Sequence, residues 1–198
     1  MTFGRDCNYY YVYGNKMHME VNHMKFYRCQ VCGEVYMGKA APSNCPHCGA
    51  LKKYLIPADE WTDENETLAE ISDVSRENLE KALQLEVNNA PFYREASAKA
   101  DTVKLQGILK CLAKIEAEHA SVIRKILRCE FPQPQPGREK ATDDPRENLR
   151  LAHSREVFAA GFYERAAGQA VEPRIKKVFT ALSEIETDHI NVESGLIG

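Results

Sequence analysis

The sequence lacks any long hydrophobic run. In this chain of 198 residues, the longest stretch without Asp, Glu, Lys or Arg extends only from Ala40 to Leu51, and it contains Pro, Ser, Asn, His and two Cys. A membrane-spanning helix needs about 20 mostly apolar residues, so we predict that no segment crosses a membrane. A basic excess is also lacking, because the formal net charge is -3. A surface that binds phosphate backbones needs such an excess, and we expect no nucleic-acid partner.

The N-terminus lacks the basic-then-apolar order of a secretory signal. Arg5 and Asp6 are followed instead by a cluster of tyrosines, which predicts a cytoplasmic protein. In that reducing compartment the seven cysteines are expected to be metal ligands or free thiols and not disulfides. Three of them, Cys7, Cys111 and Cys129, have no partner pattern and are interpreted as buried or incidental thiols.

The other four cysteines form two C-x2-C pairs, each followed by glycine. The first pair is Cys29 and Cys32, the second is Cys45 and Cys48, and twelve residues separate the pairs. A two-residue gap lets a tight turn direct both sulfurs at one ion, and two such turns complete a tetrahedral S4 site. A module of about 40 residues usually needs such a metal to fold. Thiolates suit zinc as well as iron, so a structural zinc ribbon and a one-electron iron centre both stay open.

The second half of the chain repeats itself with an offset of 70 residues and no gap. Arg76-Glu77-Asn78-Leu79 recurs at 146–149, and Phe92-Tyr93 recurs at 162–163. Apolar residues follow helical spacing within each repeat, so each repeat is predicted to be a helical hairpin. The two hairpin turns are expected near Asp101 and Val171.

A proline-rich linker joins the two predicted hairpins. The fourteen residues 131–144 begin with three alternating prolines and cannot form a helix. An extended chain of that length reaches about 43 Å, close to the roughly 40 Å of a helix of about 27 residues. The linker can therefore run the length of a bundle, which favours parallel second and third helices and a pseudo-two-fold relation between the hairpins.

Four glutamates interrupt the apolar stripes of the four predicted helices. A buried, unpaired carboxylate costs several kcal/mol, and no Arg or Lys occupies a corresponding inward position, so two divalent cations would balance the four charges. Two of these glutamates belong to Glu-x-x-His motifs, in which Glu and His project from one helical face. The predicted metal ligands are Glu86, Glu116, His119, Glu156, Glu186 and His189. They match the known ligand set of ferritin-like dimetal carboxylate sites, and these donors favour iron or manganese.

Two tyrosines lie two helical turns beyond a predicted ligand. Tyr93 follows Glu86 by seven residues, and Tyr163 follows Glu156 by the same interval. We interpret both as candidate catalytic residues that hydrogen-bond to the carboxylates, with plain core aromatics as the alternative.

With these motifs the sequence, over roughly Lys25 to His189, resembles the rubrerythrin family in the variant order that places a rubredoxin-like module before a ferritin-like bundle. The resemblance implies an Fe(Cys)4 centre and a non-haem di-iron centre that reduces hydrogen peroxide to water. It further implies electrons from an NAD(P)H-dependent reductase or a rubredoxin. A homodimer is implied as well, in which the module of one subunit approaches the di-iron site of the other. Dioxygen reduction, or ferroxidase and iron-binding activity beside a structural zinc ribbon, is the alternative.

One position departs from the family pattern. Typical rubrerythrins carry a further carboxylate one turn after the glutamate of the third helix, where this chain has Ala159. The iron movement attributed to that ligand is therefore not carried over. His153 lies one turn before Glu156 and has Leu83 as its repeat counterpart. It is interpreted either as a ligand or proton donor, or as a capped or surface histidine.

The patterns together predict a mainly α protein. The expected divisions are an N-terminal extension over 1–23, a rubredoxin-like four-cysteine module over 24–57, a linker over 58–74 and a ferritin-like four-helix bundle with a long crossover over 75–198. Ser75 is predicted to cap the first helix, and Pro145 and Pro173 are predicted to open the third and fourth.

Overall fold

A small sheet with two cysteine turns precedes four long helices in the computed structural model, which describes residues 24–62 and 70–197. The predicted extension over 1–23 and much of the predicted linker lie outside the described residues. The strands are β1 (Lys25–Cys29), β2 (Val35–Gly38) and β3 (Leu55–Pro57), and the helices are α1 (Asp73–Ala98), α2 (Val103–Leu127), α3 (Pro145–Gln169) and α4 (Pro173–Ile197). The predicted fold class is confirmed. None of the described helices combines the length and apolar character that a membrane span requires.

The sheet has the order β2-β1-β3, and both pairings are antiparallel. One cysteine turn connects β1 to β2, and the other lies between β2 and β3. Each turn closes with a glycine at positive φ, Gly33 at 82° and Gly49 at 79°. Their N–H groups donate to the carbonyls of Cys29 and Cys45, both at 2.9 Å. Because an L side chain is strained at such φ values, glycine is what allows both turns to close.

The helix boundaries follow most of the predictions. Pro145 and Pro173 open α3 and α4, and the hairpin turns fall at residues 99–102 and 170–172. Ser75 as the cap of the first helix was wrong, since α1 begins at Asp73 and Ser75 lies within its first turn. The Ser75 hydroxyl instead donates to Glu172 Oε2 at 2.6 Å. Tertiary contact, and not local capping, determines the role of this serine.

The linker between the hairpins runs beside α1. Gln84 on α1 donates to the carbonyl of Gln133 at 3.1 Å, and further along Glu95 accepts from the N–H of Ala141 at 3.1 Å. Later linker residues therefore meet later residues of α1, so the linker runs parallel to α1 and antiparallel to α2. It delivers the chain to the end of the bundle where α2 begins, which confirms the parallel arrangement of α2 and α3.

The cysteine module packs directly onto the bundle of the same chain. Arg174, in the first turn of α4, donates to the carbonyls of Gln30 and Val31. Glu184 on α4 accepts from Lys53 at 2.6 Å and from the Tyr54 hydroxyl at 3.0 Å. The buried cysteine turns and the apolar side chains of α4 belong to one continuous core.

Glu172 ties the start of α1 to the turn between α3 and α4. Its carboxylate accepts from the Ser72 N–H at 2.6 Å as well as from Ser75. Partial burial opposes ionisation, but these two hydrogen bonds lower the pKa of Glu172 to about 2. We expect Glu172→Ala to lower the free energy of unfolding by about 1–2 kcal/mol, because two charge-assisted hydrogen bonds are lost at a partly exposed site.

Urea denaturation followed by circular dichroism measures this change. Glu77→Ala is the control, since within the described residues Glu77 pairs with exposed Lys81 one turn away. Its removal should change stability by less than about 0.5 kcal/mol. Equal effects of the two variants would contradict the bridging role of Glu172.

Candidate metal centres

The four predicted cysteine ligands come together in one buried group. Their sulfurs lie within 4.8 Å of one another. Cys29 and Cys48 are 3.8 Å apart, as are Cys32 and Cys45. Four sulfurs about 2.3 Å from one ion at the corners of a tetrahedron would be about 3.8 Å apart. The sulfurs therefore already have the spacing of a tetrahedral thiolate site.

Hydrogen bonding among the thiols shows why this group needs a cation. Contacts with the other sulfurs, Cys29 foremost, together with burial raise the pKa of Cys32 and Cys48. Four thiolates cannot ionise side by side in a buried site without a compensating positive charge. A divalent or trivalent ion supplies that charge, and the tetrahedral geometry accepts zinc or iron.

The six predicted bundle ligands form two overlapping groups from all four helices. Glu116 and Glu186 belong to both groups, while each group adds one histidine and one further glutamate. The first group is Glu86, Glu116, His119 and Glu186, and the second is Glu116, Glu156, Glu186 and His189. Within each group the potential ligand atoms lie within 4.8 Å of one another. The two overlapping groups therefore provide two adjacent metal positions that share two carboxylates.

Both histidines direct Nδ1 at the carboxylates. His119 Nδ1 is 3.3 Å from Glu186 Oε1, and His189 Nδ1 is 2.9 Å from Glu186 Oε2. The other ring nitrogen of His119, Nε2, lies 2.9 Å from the carbonyl oxygen of Cys48. A carbonyl can only accept, so Nε2 carries a proton, and when the imidazole is neutral its Nδ1 lone pair faces the centre.

Most ligand atoms in this cluster make no hydrogen bond to any described residue. The unsatisfied buried atoms include both carboxylate oxygens of Glu116 and of Glu186, one oxygen each of Glu86 and Glu156, and Nδ1 of His119 and His189. Buried polar atoms without partners are rare in proteins because each costs free energy. Since these atoms converge on two points, a pair of divalent cations satisfies them together. The residues therefore fit a dimetal centre.

Each candidate tyrosine bonds to the glutamate of the other hairpin. Tyr93 donates from its hydroxyl to Glu156 Oε1, and Tyr163 donates to Glu86 Oε1. The sequence predicted tyrosine–carboxylate hydrogen bonds, but it placed each tyrosine near the glutamate of its own helix. The observed bonds cross between α1 and α3 and hold the two hairpins in register.

A fifth buried glutamate, Glu193 on α4, was not among the residues predicted from the sequence. It is fully buried, and its Oε1 lies 2.7 Å from the Tyr93 hydroxyl oxygen. Burial raises the pKa of Glu193 to about 7, with the Tyr93 hydrogen bond and the charge of His189 only partly opposing the shift. The signal was present: Glu193 lies one turn after His189, and its repeat counterpart is apolar Ile123.

The remaining sequence candidates lie apart from these groups. His153 is half-buried on α3 and belongs to neither ligand group among the described residues, and Ala159 is buried where the family pattern has a carboxylate. Cys111 is exposed and Cys129 is half-buried. Cys7 lies outside the described residues.

Removing metal should make the stability of the fold fall as pH rises. Burial, reinforced by neighbouring carboxylates, raises the pKa of Glu116 and Glu156 well above the ordinary value of 4.5. Burial opposes charge on His119 and His189, but the surrounding carboxylates prevail and raise the pKa of both above 6.5. Between pH 5 and 8 the folded metal-free protein therefore holds protons that the unfolded chain releases.

Each such proton lowers stability by about 1.4 kcal/mol per pH unit, or about 3–5 °C in Tm for a chain of this size. Thermal unfolding of chelator-treated protein from pH 5 to 8 measures this decrease, and metal-loaded protein should show a flatter profile because the cations keep the carboxylates ionised. A Tm that is constant or rises over this range in the metal-free protein would be inconsistent with the cluster described.

Comparison with known proteins agrees with both modules. A family sequence model described as Rubrerythrin matches residues 77–196, and a model described as the rubredoxin-like domain of rubrerythrin matches residues 27–55. Reverse rubrerythrin-1 from Clostridium acetobutylicum is 33% identical over 114 residues, which cover 52% of this chain and 62% of that protein. The chain thus matches less than two thirds of the length of that relative.

A solved structure of a hypothetical protein from Pyrococcus furiosus shares the fold. It superposes with a TM-score of 0.56 at 22% identity and covers 62% of this chain and 87% of that one. The matches to separate family models for the bundle and for the cysteine module agree with the two ligand sets found in the structure. This chain belongs to the rubrerythrin family, with the rubredoxin-like module ahead of the ferritin-like bundle.

Proposed function

We propose that this protein reduces hydrogen peroxide to water at a di-iron centre in the bundle, using electrons relayed through an iron bound by the four cysteines. The observation that carries the proposal is the contact between the two sites. The Cys48 carbonyl oxygen lies 2.9 Å from Nε2 of His119, so a ligand of one site touches a ligand of the other. An iron store has no need of a thiolate site at this position, and a structural ribbon has no need of this contact.

Different glutamates of the bundle would bind at the two metal positions. Glu116 and Glu186 belong to both ligand groups and would help to hold both metals, whereas Glu86 and Glu156 would each help to hold one. When bound there, a pair of ferrous ions supplies the two electrons that reduction of one peroxide to two waters consumes. Burial of all four glutamates excludes bulk water from the centre, which strengthens the electrostatic hold of the carboxylates on the cations.

In this proposal an iron held by the cysteine module would return electrons one at a time. From the Cys48 sulfur the path follows the residue's own covalent bonds to its carbonyl and then crosses one hydrogen bond to His119. This contact lies within a single chain, whereas the family resemblance implied an approach between two subunits. The homodimer therefore stays a prediction that the relay does not require.

The physiological partners follow from the same proposal. An NAD(P)H-dependent reductase or a rubredoxin would reduce the cysteine-bound iron, and we place the reaction in the cytoplasm. Dioxygen is the alternative oxidant. A ferroxidase or iron-binding role with zinc in the cysteine site is the alternative function, because a buried tetrahedral thiolate set accepts either metal.

Metal content tests the two centres. Protein purified without oxygen from iron-replete culture should contain about three irons per chain, two in the bundle and one at the cysteines. Glu116→Ala removes a carboxylate shared by both bundle positions, so it should lower the content to about one. His153→Leu, which introduces the repeat counterpart of that half-buried residue, should leave both iron content and peroxide turnover unchanged.

Element-resolved analysis of each variant gives these counts. Two irons with one zinc would contradict the electron relay, and a single zinc would contradict the redox function of both modules.

Stopped-flow mixing of the reduced protein with peroxide tests the relay. The bundle should be oxidised first and the cysteine-bound iron second, and peroxide should react faster than dioxygen. Gly49→Ala should slow the second phase, since a Cβ at Gly49 would lie 3.1 Å from Ile185 Cγ2 and would push the module away from α4.

Gly33→Ala is the matched control, because Gly33 has the same positive φ in the other cysteine turn. Both variants carry the backbone strain, but only Gly49→Ala should slow electron transfer beyond it. Equal slowing in the two variants would show that the contact at Gly49 is irrelevant, and faster oxidation by dioxygen would favour the alternative oxidant.

A further inference from the structure

The Tyr93 hydroxyl contacts two carboxylates, although a phenol can donate a hydrogen bond to only one of them. Its oxygen contacts Glu156 Oε1 on α3 and lies 2.7 Å from Glu193 Oε1 on α4. A tyrosine hydroxyl carries one proton. Two hydrogen bonds at this oxygen therefore require a second proton on one of the carboxyl groups.

We propose that Glu193 holds that second proton and that Glu193 and Tyr93 form a relay delivering protons to the Glu156 side of the bundle centre. In this order the Glu193 O–H donates to the Tyr93 oxygen, and the Tyr93 O–H donates to Glu156. The proposal rests on the proposed function, because it names the source of a proton that peroxide reduction consumes.

The surroundings of Glu193 favour its protonated form. The side chain is fully buried, and Oε2 makes no hydrogen bond within the described part of the chain. Glu156 differs, because it belongs to a ligand group whose cation would keep it ionised. Of the two carboxyls that share Tyr93, Glu193 is therefore the one that keeps a proton when the centre is loaded.

Charged groups of three helices act on this pair. Glu186 and His189 act on Glu193 from its own helix. Glu116 on α2 and Glu156 on α3 act on Tyr93, and Arg155 on α3 also interacts electrostatically with Tyr93. Burial raises the pKa of Glu193 to about 7, while the Tyr93 hydrogen bond and His189 oppose the shift and Glu186 adds to it. A carboxyl whose pKa is raised in this direction holds its proton closer to neutral pH, as a proton donor must.

The internal repeat supplies a comparison within the molecule. The offset of 70 residues makes Tyr163 the counterpart of Tyr93 and Ile123 the counterpart of Glu193. Tyr163 donates to Glu86 and stacks on Phe179, and Ile123 is fully buried. An apolar side chain therefore satisfies the fold at this place, and the carboxyl of Glu193 is not needed for packing. The relay exists on one side of the centre alone.

Solvent restores the proton that Glu193 gives up. Reduction of one peroxide to two waters takes two electrons and two protons, and the relay supplies one proton per transfer. The Glu193 O–H bond breaks as an O–H bond forms at Tyr93, and the original Tyr93 proton passes to Glu156. Glu156 then releases that proton to a peroxide oxygen and is a carboxylate again. One turn beyond Glu193, Leu196 borders a surface groove of about 190 Å³, so water comes within about one helical turn to reprotonate the carboxylate.

Infrared spectroscopy of the full-length protein, loaded with ferrous iron without oxygen and not turning over, tests where the proton resides. The carbonyl stretch of a protonated carboxylic acid should be present at pH 6 and should weaken as the pH is raised. Glu193→Gln should abolish this band while iron content stays unchanged. Absence of the band in the unaltered protein at pH 6, or its survival in Glu193→Gln, would overturn the proposal.

Stopped-flow kinetics with peroxide tests what the proton does. We expect Glu193→Gln to slow oxidation of the bundle by about 10- to 100-fold and to remove the dependence on pH around 7, since general acids contribute factors of this order or more. Glu193→Ile, which introduces the residue of the repeat counterpart, should fold, retain iron and show the same loss. Glu164→Gln, the same chemical change at an exposed glutamate of α3, should leave rate and pH profile unchanged.

The outcomes separate this proposal from the proposed function. Loss of iron in Glu193→Gln, or an unchanged rate and pH profile, would overturn the relay. If the unaltered protein fails to react with peroxide, the proposed function falls and the relay falls with it, whatever the infrared result for Glu193.

Discussion

Four carboxylates buried at the centre of a four-helix bundle are the constraint on which the rest of this structure depends. Removed from water, they repel one another and leave most of their oxygens without partners. Two cations remove both problems at once, and the neighbouring groups serve that arrangement. The histidines face the carboxylates through Nδ1, and the two tyrosines anchor the glutamates that serve a single position. The apolar side chains of the helices then close around the cluster.

The contact between Cys48 and His119 connects this centre to the cysteine module. A backbone carbonyl fixes which nitrogen of His119 is protonated, so the packing of the module determines how the imidazole is presented to the centre. Gly49 makes the approach possible, because any side chain there would meet Ile185. The thiolate site therefore influences the bundle through geometry as well as through any electrons that it passes.

The sequence predicted the parts of the structure that follow from periodicity. Helical spacing and the exact repeat identified the two hairpins, the linker direction and the six residues that meet in the bundle. Tertiary contacts could not be predicted from the sequence. A seven-residue interval places Tyr93 along its own helix but does not reveal that Glu156 of the other hairpin is its partner. Ser75 was misjudged because Glu172, 97 residues away, competes for its hydroxyl. Glu193 obeyed the rule that found Glu86 but lay outside the Glu-x-x-His pattern. The metal-binding roles and the domain boundaries stay predictions.

Each candidate metal position would take ligands from both hairpins. The first position needs Glu186 from the second hairpin, and the second needs Glu116 from the first. Neither hairpin can complete a coordination sphere or neutralise its carboxylates alone, and the linker between them contributes no ligand to either group. Association of the two halves and uptake of metal are therefore thermodynamically coupled. Any condition that strips the cations also loosens the tertiary structure, and a chain with one damaged half loses both metal positions together.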